Sequence, residues 1–526
     1  MRIHLRIPKD ADPLLRSRLT YAFRLFCAIY GHRPLVGHGL GEYADIAISY
    51  DRPSNAHKRV AQRNTVWLSC GYRVRNLHEP APPPLRYTAS GITTLLHHTP
   101  ESGQAPDWLG EIFEWVSCAD EYSVGSLDRV GRKLFAATYA GRHGIDTRIP
   151  FAAIAMHCLQ QELCRVLPVA PAGPSPLSGA PQHMVVATHD IDYFSLGRPH
   201  AASRLLRNAI ISCIVAKRPM LGMRQAAMAL RVCLGGSTDP LDQIASLATQ
   251  ERQRGIGASY NFLVRHGHRR DAQYTLDHSG VEATMRWIES QEMEVGIHGS
   301  YTCIEDVGGV AQEAATLRAR DFHPCGGRQH WLRYTLDRLI PAVERAGLGY
   351  DMSVGWADRI GFRSGACFAY PPYNFARESP ASFLEIPMVI MDQALLTRRE
   401  DWEQVAEQAS GLLETSRRYG WGGISVLWHP AAFGGGWLPA EIGNAFWALA
   451  DGRATRNEAW LAGKVFLETV RKRYADAGFD IVMPATDLPD EDSRVREDVL
   501  NQVFFDERQH SREKEECVRS DKQVVA

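Results

Sequence analysis

The chain has 526 residues, 45% of them hydrophobic and 23% charged, with 59 Lys and Arg against 60 Asp and Glu and a formal net charge of −1. That balance gives no general attraction for nucleic acid or for an anionic membrane, and no window offers about 18 apolar residues free of charge, which excludes a membrane-spanning helix. At roughly one domain per 150 residues the length calls for more than one core, or for one small domain beside a large barrel.

The N-terminus, MRIHLRIPKD, lacks the uninterrupted apolar core of a secretory signal, so the expected location is cytoplasmic. Residues 1–168 mix short strands, around 44–50 and 65–70, with helical stretches around 15–30 and 151–167, and read as a small α/β domain. A Pro-rich connector follows from Pro168 to Pro176, a composition that packs neither as helix nor as inner strand. From 180 to 486 apolar runs alternate with helical periodicity. The strand-like runs are MVVAT at 184–188, then 258–264, 294–298, 349–351, 384–387, 423–429 and 479–483. Seven strands, each followed by a helix, predict a parallel sheet closed into a distorted (β/α)7-type barrel. Between the first two runs lies a helical insert, about 200–235, with apolar residues at helical spacing and basic residues between them. That pattern fits a core-packed helix pair, or one lying on a membrane or partner. The tail, 487–526, is dense in both signs of charge and reads as a solvated helix or disorder. Eleven cysteines are scattered with no CxxC pair, which argues against both a disulfide framework and a structural zinc cluster.

Barrel sites form at the carboxyl ends of strands, and here those ends repeat one polar theme. The first run ends in Asp190 and Asp192, the third in His298, a later one in Asp351 and another in His429, while GGRQHW adds Arg328 and His330. Each has a plainer reading. A lone aspartate after a strand often caps a helix, a lone histidine often sits satisfied in a core, and an arginine often closes a structural ion pair. Coincidence of position favours chemistry, because independent caps would not all fall on one barrel face. Two carboxylates, several imidazoles and an arginine at one mouth suit a divalent cation that keeps a position open for water. Trp331, Trp356, Tyr370, Tyr373 and Trp428 flank these residues and read either as stacking platforms or as core.

At these residues, over roughly 180–485, the chain resembles the polysaccharide deacetylases of the NodB-homology type, carbohydrate esterase family 4, as a divergent cytoplasmic branch with an added N-terminal α/β domain. THDID resembles the first motif of that family, which implies Asp190 as catalytic base and Asp192 as metal ligand. EVGIHGSY resembles the second, which implies His298 as a ligand. GGRQHWLRY stands where the third supplies an arginine that orients the base, giving Arg328, and the backbone N–H after it would help hold the oxyanion. The segment beginning YDMSVGW implies Asp351 as the residue tuning the acid, and VLWH implies His429 as the acid that protonates the leaving group. The family's HxxxH is absent: Thr302 stands four residues after His298. His330 is then the candidate for the missing ligand, with His189 behind it.

The resemblance implies a hydrolase using a divalent metal ion, zinc being the expected one, that removes an N-acyl group, N-acetyl above all, from an aminosugar-containing glycan or precursor. The partners implied are a carbohydrate or small-molecule amide substrate and no nucleic acid. Two alternatives stay open: a catalytically silent barrel serving as a scaffold in glycan assembly, and an amidohydrolase acting on a non-sugar C–N bond.

Overall fold

The computed structural model describes residues 1–37, 44–50, 65–68, 81–89, 91–100, 105–122, 127–133, 135–168, 173–174, 181, 183–396 and 402–484. The tail from 487, most of the Pro-rich connector, Cys70 and Cys517 lie outside the described residues.

The N-terminal part is built on β1 (Arg2–Arg6), a helix over Pro13–Tyr30, β2 (Arg33–Val36), β3 (Ile46–Ser49) and β4 (Thr65–Trp67), which join as a parallel sheet in the order β2-β1-β3-β4. The helix starts where Asp12 accepts a hydrogen bond from Leu14 N with proline in its first turn, and it stops at Gly31, whose φ of 68° only glycine adopts freely. A hairpin of β5 (Leu85–Ala89) and β6 (Ile92–Leu96) follows, then helices Trp108–Val116 and Phe151–Val166.

The larger sheet starts with β7 (His183–Ile191), all nine residues of which are buried, as a parallel strand covered on both faces must be. It continues through β8 (Ser259–Leu263), β9 (Glu294–Gly299), β10 (Gly326–Gln329) and β11 (Tyr350–Asp351). The short hairpin of β12 (Tyr373–Asn374) and β13 (Ser379–Pro380) intervenes before β14 (Leu384–Glu385) and β15 (Met388–Met391). Closure comes from the segment 384–391: its first half pairs with β11, and its second half with β16 (Ile424–Leu427), which itself pairs with β7. Seven parallel staves therefore return on themselves, and the expected α/β barrel is what the chain forms.

The sheet differs from the sequence reading in three places. The run 479–483 is no strand: Phe479 and Ile481 are buried, but their backbone takes no place in the sheet. The additional strand is β17 (Glu458–Leu461), which pairs with the first half of β7. β10 escaped notice because Gly326 and Gly327 carry no strand pattern. Both positions are too close for a side chain: a Cβ on Gly327 would lie 1.9 Å from Ile297 O, and one on Gly326 would lie 2.4 Å from the Tyr350 ring.

The N-terminal part packs directly on the barrel. Tyr21 Oη donates to Pro371 O, and the buried Arg18 pairs with Glu378 at 2.6 Å while lying over the rings of Phe113 and Phe375. The insert forms helices Arg198–Ile210 and Pro219–Cys233 folded against each other. One face packs as expected of a core pair, with Ala201, Leu205, Ala229 and Val232 meeting Leu241 and Ala431 in a small core of their own.

Candidate functional site

Side chains alternate across a strand, so Thr188 and Asp190 on β7 point one way and His189 the other. The structure thereby removes His189 from the ligand candidates. Its Nε2 lies 2.8 Å from Glu251 Oε1 and its Nδ1 2.6 Å from Trp428 O, in a fully buried network that Tyr260 joins by donating to Glu251.

Inside the mouth, Asp190 Oδ1 accepts from Arg328 Nη1 at 3.0 Å and from Asn261 Nδ2 at 2.8 Å. The guanidinium is itself aimed by Met352 O at 2.8 Å and Thr188 Oγ1 at 3.0 Å. Burial pushes the Asp190 carboxyl upward, but Arg328, His298 and His429 outweigh it and hold the group below the usual carboxylate range. The other oxygen, Oδ2, stands 3.7 Å from His298 Nε2.

Asp192, His298 and His330 each bring one ligand-type atom to a common point, all within 4.8 Å of one another. Asp192 Oδ1 lies 3.2 Å from His298 Nε2 and 3.4 Å from His330 Nε2, and burial against Asp192's charge is outweighed by the imidazoles around it, so its pKa is depressed. Backbone carbonyls only accept, so the 3.1 Å contact of His298 Nδ1 with Arg328 O puts a proton on Nδ1 and turns Nε2 toward Asp192. His330 Nδ1 approaches Asp271 Oδ1 at 3.5 Å. Asp192 Oδ1 is buried yet makes no well-formed hydrogen bond. An orphaned carboxylate oxygen facing two imidazole nitrogens is the donor set a divalent ion takes, so these residues fit a metal.

His429 closes the other side, its Nε2 lying 3.5 Å from Asp192 Oδ2. Its partner is Asp392, a residue the sequence reading missed: His429 Nδ1 lies 2.9 Å from Asp392 Oδ1, and its backbone N–H donates to Oδ2 at 2.7 Å. Burial works against charge on this imidazole, but Asp392, then Asp192 and Asp190, hold it up at about 9. Asp351, expected beside the acid, stands elsewhere. It is the register partner of Glu385, accepts from Ser353 N at 2.8 Å, and is pushed up by burial together with Glu385. Asp392 was legible by the same rule that found Asp190, since it ends the apolar run PMVIM. The N–H after Arg328 is also spoken for, because Gln329 N donates to Ser353 Oγ at 3.0 Å.

Above these residues opens a cleft of about 830 Å³, lined by Asp190, Asp192, His330 and His429 at its floor. Of the five aromatics flanking the motifs only Trp331 reaches it; Trp356, Tyr370, Tyr373 and Trp428 are core. Trp331 and Leu332 hold φ of 64° and 50°, a left-handed turn that costs about 1–3 kcal/mol per residue and is tolerated where the surroundings enforce it. The N-terminal part supplies one wall through Arg129, Val130 and Arg132, and Trp331 O accepts from Arg132.

Fold and site together define an α/β barrel with an acid–imidazole cluster at the carboxyl ends of its strands. No family model and no curated protein matches the chain. Among solved structures it is similar to one from Mycobacterium smegmatis described as a polysaccharide deacetylase, at 14% identity over 61% of this chain and 99% of that one, with a TM-score of 0.36. It is similar as well to PuuE allantoinase, at 11% identity over 59% and 97% with a TM-score of 0.36. A family 4 carbohydrate esterase from Streptomyces lividans in complex with acetate matches at 13% identity over 53% and 92%, with a TM-score of 0.26.

Proposed function

We propose that the protein is a metal-dependent hydrolase of a C–N amide bond that removes an N-acyl group, N-acetyl above all, from an aminosugar-containing glycan or its precursor. The observation that carries this reading is the convergence of Asp192, His298 and His330 beside a second, arginine-held carboxylate. A divalent ion held by those three residues, zinc by the nature of the donors, would acidify a water and polarise the amide carbonyl.

The chain's own groups divide the proton work. Asp190 keeps Oδ1 occupied by Arg328 and Asn261, which leaves Oδ2 to take the proton of the attacking water. His429, charged at neutral pH through Asp392, presents Nε2–H toward the cleft and donates it to the departing amine. Arg328 acts through Asp190 as a positioning residue, and Asp392 does the same through His429. Asp351 and Glu385, behind Arg328, are a buried acid pair that shapes the field on that guanidinium. Arg129, Arg132, Arg204, Arg207, Arg269 and Arg270 face the cleft, which favours a substrate carrying negative charge beside its amide.

The test is acetate release from N-acetylated aminosugars together with zinc content. Asp190→Asn is expected to lower turnover by several orders of magnitude while zinc stays bound, and His298→Ala to lose the zinc. Undiminished turnover in Asp190→Asn sinks the assignment of the base. A purified chain that binds no stoichiometric divalent ion leaves the silent scaffold as the answer.

A further inference from the structure

The insert between β7 and β8 has one satisfied face and one that the fold leaves bare. Helices Arg198–Ile210 and Pro219–Cys233 approach closely, because a Cβ on Gly222 would fall 2.2 Å from Cys213 Sγ and 2.8 Å from Ala209 O. Their inner residues fill the small core with Leu241 and Ala431. The outer face is apolar. Among the described residues, nine of the sixteen large hydrophobic side chains that stand in solvent fall between Leu206 and Leu234, while the others are scattered. They form stripes at helical spacing, Leu206, Ile210 and Ile214 on one side, Met223, Leu230 and Leu234 on the other, with Ile214 72% and Val215 74% exposed at the tip.

Charge says what covers that face. In a chain of net charge −1, residues 198–238 hold seven Arg and Lys and no Asp or Glu. The basic residues are interleaved with the apolar ones: Arg207 follows Leu206, Lys217 and Arg218 sit between Val215 and Met220, Arg224 follows Met223, and Arg231 follows Leu230. A second copy of this chain would bring the same seven positive charges against them. Long basic side chains beside aliphatic ones instead suit the headgroup level of a bilayer, where the stems lie in the apolar zone and the charges reach lipid phosphate. No helix among the described residues is long and apolar enough to cross a membrane, so the element would lie on the surface rather than span it.

We propose that the helical hairpin 198–234 docks the protein onto an anionic lipid bilayer. Arg204, Arg207 and Asn208 of its first helix, and Ile211 just after it, also line the cleft, so docking sets the cleft mouth at the lipid surface. This holds whatever reaction the barrel performs.

The experiment is co-sedimentation of the full chain with vesicles of phosphatidylcholine alone and of phosphatidylcholine mixed with phosphatidylglycerol. Retention at least about tenfold stronger on the mixed vesicles is expected, weakening as salt is raised. Ile214→Glu combined with Val215→Glu, at exposed positions, should bring retention down to the phosphatidylcholine level with the melting curve unchanged. Lys217→Glu combined with Arg224→Glu should do so through charge alone. Equal retention on both vesicle types overturns the proposal, as does undiminished binding by the Ile214/Val215 variant. A chain that ignores vesicles but is a dimer in solution, made monomeric by the same substitutions, overturns it too and makes the face a contact between copies.

Discussion

Replacing Asp392 by Asn tests whether the charge on His429, the proposed acid, is set by one buried neighbour rather than by the site as a whole. His429 is held at about 9 against an ordinary 6.5, a gap worth roughly 3 kcal/mol in favour of the charged imidazole. Asp392 is the largest contributor acting against burial, touching Nδ1 at 2.9 Å with both groups out of water. Without it, burial is opposed by Asp192 and Asp190 alone among the leading causes, and the imidazole should titrate well below 9. A group whose pKa is raised by folding stabilises the native state fully below its unfolded value and ceases to do so as pH rises through its folded one. The variant should therefore lose up to about 3 kcal/mol below pH 6.5, with the loss fading as pH passes 9. The assay is NMR titration of metal-free, histidine-labelled protein, with the His429 signal identified by its absence in His429→Gln, run beside thermal unfolding at several pH values. A His429 midpoint still near 9 in Asp392→Asn, or a destabilisation independent of pH, would refute the reasoning.

Further outcomes concern the scaffold. Glu458 is buried at the base of β7, where burial alone would raise its pKa, but His183 at 3.1 Å and Arg456 at 2.9 Å bring it down to about 2. Its contribution, about 3 kcal/mol, is present above the ordinary 4.5 and vanishes as pH falls through about 2. Glu458→Gln should thus melt lower at neutral pH and converge on the unmodified chain in acid; a constant gap would count against the ion pair. Gly327→Ala drives a methyl to within 1.9 Å of Ile297 O, and should cost at least about 1–3 kcal/mol in denaturant unfolding while displacing Arg328 from Asp190. Gly411→Ala, in helix Trp402–Tyr419 with nothing within 4 Å, should instead stabilise by about 0.5–1 kcal/mol.

What could be read from the sequence follows from how each element is buried. β7 was legible because a stave covered on both faces must be an unbroken apolar run, and polar residues ending it stand out. The same logic applied to PMVIM points to Asp392, whereas the motif around Asp351 lies on a different strand. β10 was hidden by its glycines, which exist for close approach and carry no periodicity. The run 479–483 misled because burial of Phe479 and Ile481 resembles a strand when the backbone partners are unknown. The absence of HxxxH made His330 a guess, and only three-dimensional structure brings a residue from the end of β10 to one from the end of β9. Four of the five aromatics near the motifs turned inward for the ordinary reason that large rings are worth more in a core.

Three separate stretches of chain build the cleft. Its floor belongs to the staves, whose spacing tolerates little change, whereas its sides come from residues 129–132, far earlier in the chain, and from the insert helix that carries Arg204 and Arg207. Ligand preference can therefore drift by altering either flank while the reacting groups stay put, so divergence among proteins built on this plan should accumulate in the two borrowed walls and spare the barrel rim.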